Sequence, residues 1–301
     1  MDLKSEKTVL IAGASGFIGA RIKRYLESEG YRVRGLGRAS GNATDYAWDP
    51  DTGQIDPKAL DGVDIVVNLA GESIAEGRWT AARMRRILES RIKGTRLLVD
   101  SMKKATVPPA VFLCASGVNF YGSSGREMDE NSPRGDGFLA EVCEKWEAEA
   151  MRATDFGVRT VCLRFGVVLH PKGGALAKML PIFRLGLGGR IGTGKQGFPW
   201  IAMDDLLRII GFCAETTTMR GPVNAVHPKG LTQAEFAGEL AKSLSRRIGP
   251  PLPKIMVKIL FGRMGEETLL VNLRVYPRLL LTEGFRFSFA NVSEALSSMF
   301  K

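Results

Sequence analysis

Gly13, Gly16 and Gly19 stand three residues apart in GASGFIG. The apolar run Thr8–Ala12 precedes them, and Ile18, Ile22, Tyr25 and Leu26 follow at helical spacing. A glycine turn leading from a strand into a helix suits one task, the binding of a diphosphate. The first glycine permits a tight turn, and the second lets the phosphates approach the backbone. The third lets helix and strand lie close, with the helix N-terminus facing the anion. With Ser15, Phe17 and Ile18 between the glycines, the segment reads as a dinucleotide cradle. The next run, Tyr31–Leu36, leads into Gly37-Arg38. An NAD site carries a carboxylate there for the ribose 2′-hydroxyl, whereas an arginine accommodates a 2′-phosphate, so Arg38 points to NADP. Asn68, Leu69, Ala70 and Gly71 end a further run, Asp64–Leu69, where the ribose and adenine side of such a cofactor would pass.

The elements that must position these residues are legible as alternation. Short apolar runs at Thr8–Ala12, Tyr31–Leu36, Asp64–Leu69, Ala110–Ala115 and Val158–Arg164 alternate with helical patterns at 17–29, 84–102 and 138–153. Strands that read as nearly continuous apolar runs are buried on both faces, and their alternation with helices implies right-handed βαβ units. The expected fold class is α/β: a doubly wound parallel sheet (Rossmann) with a small, mostly helical C-terminal substrate cap. Residues 1–170 form the expected NAD(P)-binding domain, its sheet completed by segments around 200–228, and 171–301 the cap and C-terminal domain. Thr232 with Glu235 three residues on has capping-box spacing.

Composition bounds the rest. The chain has 301 residues, is 45% hydrophobic and 25% charged, and carries a net charge of +10. Such a charge suits nucleic acid, an anionic membrane or an anionic small molecule and selects none of them. The start is polar through Lys7, and no stretch approaches the ~20 apolar residues that span a bilayer. A cytoplasmic protein, or the mature form of an organellar one, is expected, with no membrane partner. Four cysteines without a CxxC and two histidines give no basis for a metal site.

Several strings together resemble the extended short-chain dehydrogenase/reductases, and within them the atypical epimerase-like branch of YfcH-like proteins. They are NLAGESIAEGRW (68–79), SRI (90–92), FLAEVCEKWE (138–147), LRFGVVL (163–169), GGALAKMLPIFRLGLGGRIGTGKQ (173–196) and the tail from about Pro250. The resemblance covers nearly the whole chain. It implies a cofactor site that also includes Arg91, Cys143 and Arg164, and a Ser116 at the place of the superfamily's catalytic serine or threonine. It also exposes a departure. The superfamily's Tyr-x-x-x-Lys is absent, and aligning Glu147 with the usual acidic residue puts Leu139 and Cys143 where that Tyr and Lys would stand. Tyr121 is the remaining candidate acid near Ser116.

Residues 78–104 carry nine Lys and Arg against Glu89 and Asp100, but a regular apolar face and one aromatic make nucleic acid a poor fit. Arg190 and Lys195, among the six glycines of 186–197, and Trp200 are candidates for binding an anionic small-molecule substrate. The reading is an NADP(H)-binding epimerase/oxidoreductase-like protein acting on a carbonyl or sugar-nucleotide-type substrate through a non-standard site. The alternative is a non-catalytic NADP(H)-binding sensor or scaffold.

Overall fold

The structure, a computed structural model, describes residues 7–38 and 45–300, so the polar residues 1–6 lie outside it. The elements in chain order are β1 (Thr8–Ala12), α1 (Gly19–Ser28), β2 (Arg32–Gly37), β3 (Tyr46–Asp49), β4 (Gln54–Ile55), β5 (Ile65–Asn68), α2 (Ala81–Lys104) and β6 (Val111–Gly117). Next come β7 (Glu127–Met128), α3 (Phe138–Met151), β8 (Arg159–Phe165), β9 (Val167–Leu169), α4 (Gly174–Arg184), β10 (Trp200–Ala202), α5 (Met203–Glu215) and β11 (Gly221–Ala225). The chain closes with α6 (Gln233–Ser243), α7 (Lys254–Thr268), β12 (Arg274–Val275), α8 (Arg278–Thr282) and α9 (Val292–Phe300).

One eight-stranded sheet runs β11-β8-β6-β5-β1-β2-β3-β4, parallel except for β4 on β3. The strand order reverses between β1 and β5, which is the switch point where α/β sheets bind ligands. Strand alternation divides the core in two. Val9 and Ile11 pack with Ile22 and Leu26 of α1 and Leu206, Ile209 and Ile210 of α5 on one face. Leu10 and Ala12 pack with Leu98, Val99 and Met102 of α2 and Trp146 of α3 on the other. β3 and β4, at the end of the sheet, are only four and two residues long, and of their residues only Trp48 is buried. That is why periodicity does not reveal them.

The cap has its own core, in which Leu176 and Leu180 of α4 meet Trp200, Phe236, Leu240 and Leu296. The capping box forms at α6, Thr232 and Glu235 each serving the other's backbone N–H. The glycine-rich stretch 171–201 contains the helix α4, and β10 pairs with β9 apart from the main sheet. Among the described residues no helix is long and apolar enough to cross a membrane.

His227 ties the tail to this body. It is buried and stacked on Trp200 at 4.3 Å; its Nδ1 accepts from the Lys229 N–H, and Nε2 faces the Phe289 carbonyl at 3.0 Å. Burial pulls its pKa below the usual 6.5, against the opposing pull of the Phe289 carbonyl. A depressed histidine binds fewer protons folded than unfolded, so its stabilisation is complete above 6.5 and fades as pH falls below it. The urea midpoint should drop between about pH 7.5 and 5.5, and His227→Gln should flatten that drop. An unchanged slope in the variant would assign the pH dependence to other groups.

Candidate cofactor and active site

The glycine turn is locked to the end of β5. Gly13 adopts φ +82°, and a Cβ there would lie 3.1 Å from the Ala70 nitrogen. A Cβ on Gly19 would stand 2.0 Å from the Gly13 carbonyl oxygen, so α1 starts directly against the turn. Asn68, fully buried, shapes the facing segment: its Oδ1 accepts from Ala70 N–H and its Nδ2 donates to the Thr95 hydroxyl at 2.9 Å. Ser15 and Gly16 are exposed over the turn, Phe17 and Ile18 are partly covered, and Arg38 is exposed just past β2.

The structure adds residues that spacing alone did not single out. The Arg21 guanidinium lies 4.4 Å over the Phe17 ring, its Nη1 donates to the Phe17 carbonyl, and its Nε reaches His170 at 3.4 Å. The Phe17 ring also packs against Gly173, where a Cβ would be 2.1 Å away. A second cation and the 170–174 turn therefore border the cradle. The signal was the position of Arg21, on the first turn of the helix after the glycines.

Arg91 reaches the same cleft from α2. Gly71 leaves room for it, a Cβ there falling 3.0 Å from the guanidinium carbon. Arg91 Nη1 donates to the Glu72 and Ile87 carbonyls at 3.0 Å each, and the group stands 4.9 Å over the Trp146 ring. Burial lowers its pKa, and proximity to Cys143, Glu72 and Cys114 opposes that. Cys143 is buried, and a Cβ on Gly117 would lie 3.6 Å from its sulfur. Burial, then the nearby Glu147 charge, pushes its thiol up to about 11, so it is neutral near pH 7.

Beneath the cleft lies a closed polar network. The Ser116 hydroxyl donates to Glu147 Oε1 at 2.6 Å. Arg164, 3% exposed, grips both oxygens of Glu147 at 2.8 and 2.7 Å and donates to the Tyr121 hydroxyl at 2.8 Å. Its guanidinium lies 3.5 Å from the centre of the Phe120 ring. Burial alone would lower the Arg164 pKa, but the bonds and charge of Glu147 raise it on balance. Tyr121, 1% exposed, donates in turn to Asn224 Oδ1 at 2.7 Å, and burial pushes its phenol up to about 12. The structure thus joins Ser116, Glu147, Arg164 and Tyr121, but turns Arg164 and Tyr121 inward rather than to the cleft. In this arrangement both hydroxyl protons are committed to protein acceptors.

The candidate substrate residues separate. Trp200 is fully buried, its indole N–H donating to the Lys229 carbonyl, and leaves no surface for a ligand. Arg190 and Lys195 are exposed. Their loop is held by the tail, since Gly192 N–H donates to Leu252 and Leu252 N–H to Arg190. Its glycines serve close packing: a Cβ on Gly189 would meet the Pro250 carbonyl at 2.3 Å, and one on Gly197 the Leu273 carbonyl at 2.2 Å. The basic face of α2 is largely answered by carboxylates, Arg83 by Glu72, Lys93 by Asp51 and Arg96 by Glu149. All four cysteines are buried thiols, and the described residues contain no cluster able to hold a metal.

Residues 9–224 match the model of the NAD dependent epimerase/dehydratase family, and residues 252–299 match a domain of unknown function, DUF1731. The chain is 38% identical to the human epimerase family protein SDR39U1 over 295 residues, covering 97% of this chain and 99% of that one. An epimerase family protein of Mycobacterium tuberculosis is 39% identical, with 96% of each chain covered. A crystal structure of the human protein (isoform 2) with NADPH superposes with a TM-score of 0.88, covering 97% of this chain and 98% of that one. The nucleoside-diphosphate sugar epimerase from Corynebacterium glutamicum gives 0.80 at 30% identity, covering 98% of this chain and 58% of that one.

Proposed function

Because the chain belongs to the NAD dependent epimerase/dehydratase family, we propose that it binds NADP(H) and acts on a carbonyl or sugar-nucleotide-type substrate through a non-standard site. The observation that supports the cofactor reading is the glycine turn at the switch point, set so close to the segment after β5 and to the start of α1 that a Cβ on Gly13 or Gly19 would strike backbone. In this reading Gly13, Ser15, Gly16, Phe17, Ile18 and Gly19 hold the pyrophosphate, with Arg21 adding charge. Arg38 meets the 2′-phosphate, and Asn68, Leu69, Ala70 and Gly71 shape the ribose side. The bound nicotinamide would supply or take a hydride.

The chain's own groups define what else the site does. Arg91 brings a positive charge to the face of α3 that bears Cys143, the place where relatives with Tyr-x-x-x-Lys carry their lysine. The Ser116 proton goes to Glu147, so toward a ligand hydroxyl this serine would act only as an acceptor. Arg164 and Tyr121 hold that serine and carboxylate in place. Proton delivery to a carbonyl then falls to a water molecule or to the ligand. Arg190 and Lys195 would meet an anionic substrate group at the rim.

The committed protons of Ser116 and Tyr121 favour one second reading, a non-catalytic NADP(H) sensor or scaffold. Calorimetric titration tests the shared part. NADPH should bind at least ~10-fold more tightly than NADH, the scale of one charge-assisted contact. Arg38→Ala should erase that preference and leave NADH binding unchanged. Equal affinities in the parent protein would sink the role of Arg38. Oxidation of bound NADPH across a panel of carbonyl compounds, absent in Ser116→Ala, would select the enzyme. No oxidation with any of them would select the sensor.

A further inference from the structure

The cap carries an apolar face with no protein over it. Leu185, Leu187, Ile248, Ile255, Ile259 and Leu260 are each 52–74% exposed. They are neighbours through the backbone. A Cβ on Gly249 would lie 2.4 Å from the Leu187 carbonyl carbon, so Ile248 flanks Leu187. Leu252 then pairs with Ile191 and leads into α7. At about 100° per residue, Ile255 and Ile259 fall on one side of the first half of α7, and Leu260 lies at the flank between that side and Val257. Val257, on the other side, is fully buried. Gly262 breaks the helix at φ 57°, ψ −140°, and the second half folds back so that Gly265 packs on Val257. The protein therefore backs this helix on its buried side and leaves the apolar side bare.

Charge around the same face is mainly positive. Segments 182–191 and 244–263 contain seven Arg and Lys and no Asp or Glu. Lys258 and Arg263 pair with Glu266 and Glu267. Arg184, Arg190, Arg246 and Arg247 remain, with Lys254 close enough to Glu266 to feel its charge, and all five are exposed. Large exposed aliphatic side chains ringed by cations combine the two attractions that draw a protein onto an anionic lipid surface. We propose that this face docks on anionic phospholipid, with the aliphatic side chains in the acyl boundary and the cations at the headgroups. A second copy of the chain is a poorer occupant, because a symmetric pair would set this cationic rim against itself. The inference does not depend on the cofactor reading, since the face belongs to the cap.

Co-sedimentation of the full chain with vesicles tests it. Vesicles containing phosphatidylglycerol should bind at least ~10-fold more protein than pure phosphatidylcholine, and raising the salt should release it. Ile255→Asp/Ile259→Asp, which changes exposed side chains only, should abolish binding while NADPH binding and the circular dichroism spectrum stay unchanged. Arg247→Glu/Lys254→Glu should remove the preference for phosphatidylglycerol. Failure to sediment with anionic vesicles, equal binding to both vesicle types, or full binding by the aspartate variant would each overturn the proposal. So would a concentration-dependent dimer that the aspartate substitutions dissociate, which would award the face to a second copy.

Discussion

Replacing Glu147 by alanine should destabilise the folded protein by about 3–5 kcal/mol, the cost of leaving the partner of a buried ion pair uncompensated. The side chains of Arg164 and Glu147 are 3% and 11% exposed. Without the carboxylate, the guanidinium would remain charged between the Phe120 ring and the Tyr121 hydroxyl. Ser116 would lose the acceptor that fixes its hydroxyl. That cost is a large part of the ~5–15 kcal/mol by which domains are stable. Glu147→Gln keeps the shape and loses the charge, and should fall between. Removing both partners, as Glu147→Met/Arg164→Met, should cost less than Glu147→Ala alone, because no charge is stranded. Urea unfolding of the four proteins measures this. A cost below about 1 kcal/mol for Glu147→Ala would mean that water reaches the network.

The same network shows where sequence reading stops. The glycine turn is legible because its three residues act within one strand–turn–helix unit. The central strands β1, β5 and β6 are legible because burial on both faces makes them nearly continuous apolar runs. Glu147 and Arg164 sit on different elements, α3 and β8, so nothing local says that they pair. In the sequence Glu147 served only to set the register of α3. The roles of Ser116 and Tyr121 depend on where their protons point, which those tertiary partners decide. Glycine itself is ambiguous: a run that exposes N–H groups to a ligand has the same composition as one that packs against another segment. In 186–197 the close approach of Pro250 and Leu273 accounts for Gly189 and Gly197. Trp200 likewise marks the cap's core, with its polar edge bonded to Lys229.

Gly19→Val should lower NADPH affinity by at least ~100-fold, about 2.7 kcal/mol. The built Cβ lies 2.0 Å from the Gly13 oxygen and 2.9 Å from the Ala14 Cα. Both are backbone atoms, so no side-chain rotation relieves the overlap. Either α1 lifts from the turn or the turn opens, and each moves the N–H groups that would face the pyrophosphate. Loss of stability accompanies this, because Ile22 and Leu26 of the same helix are core residues. Gly16→Ala separates the two effects. Its Cβ would meet only the Gly13 oxygen, at 3.2 Å, and Gly16 has no positive φ, so the fold should tolerate it. The added methyl occupies the space over the turn, and affinity should still fall about 10-fold. Gly238→Ala in α6, with nothing within 4 Å of the added carbon, should leave affinity unchanged. It should raise stability by about 0.5–1 kcal/mol through helix propensity. A Gly16→Ala protein that folds and binds NADPH as the parent does would remove the cradle from this turn.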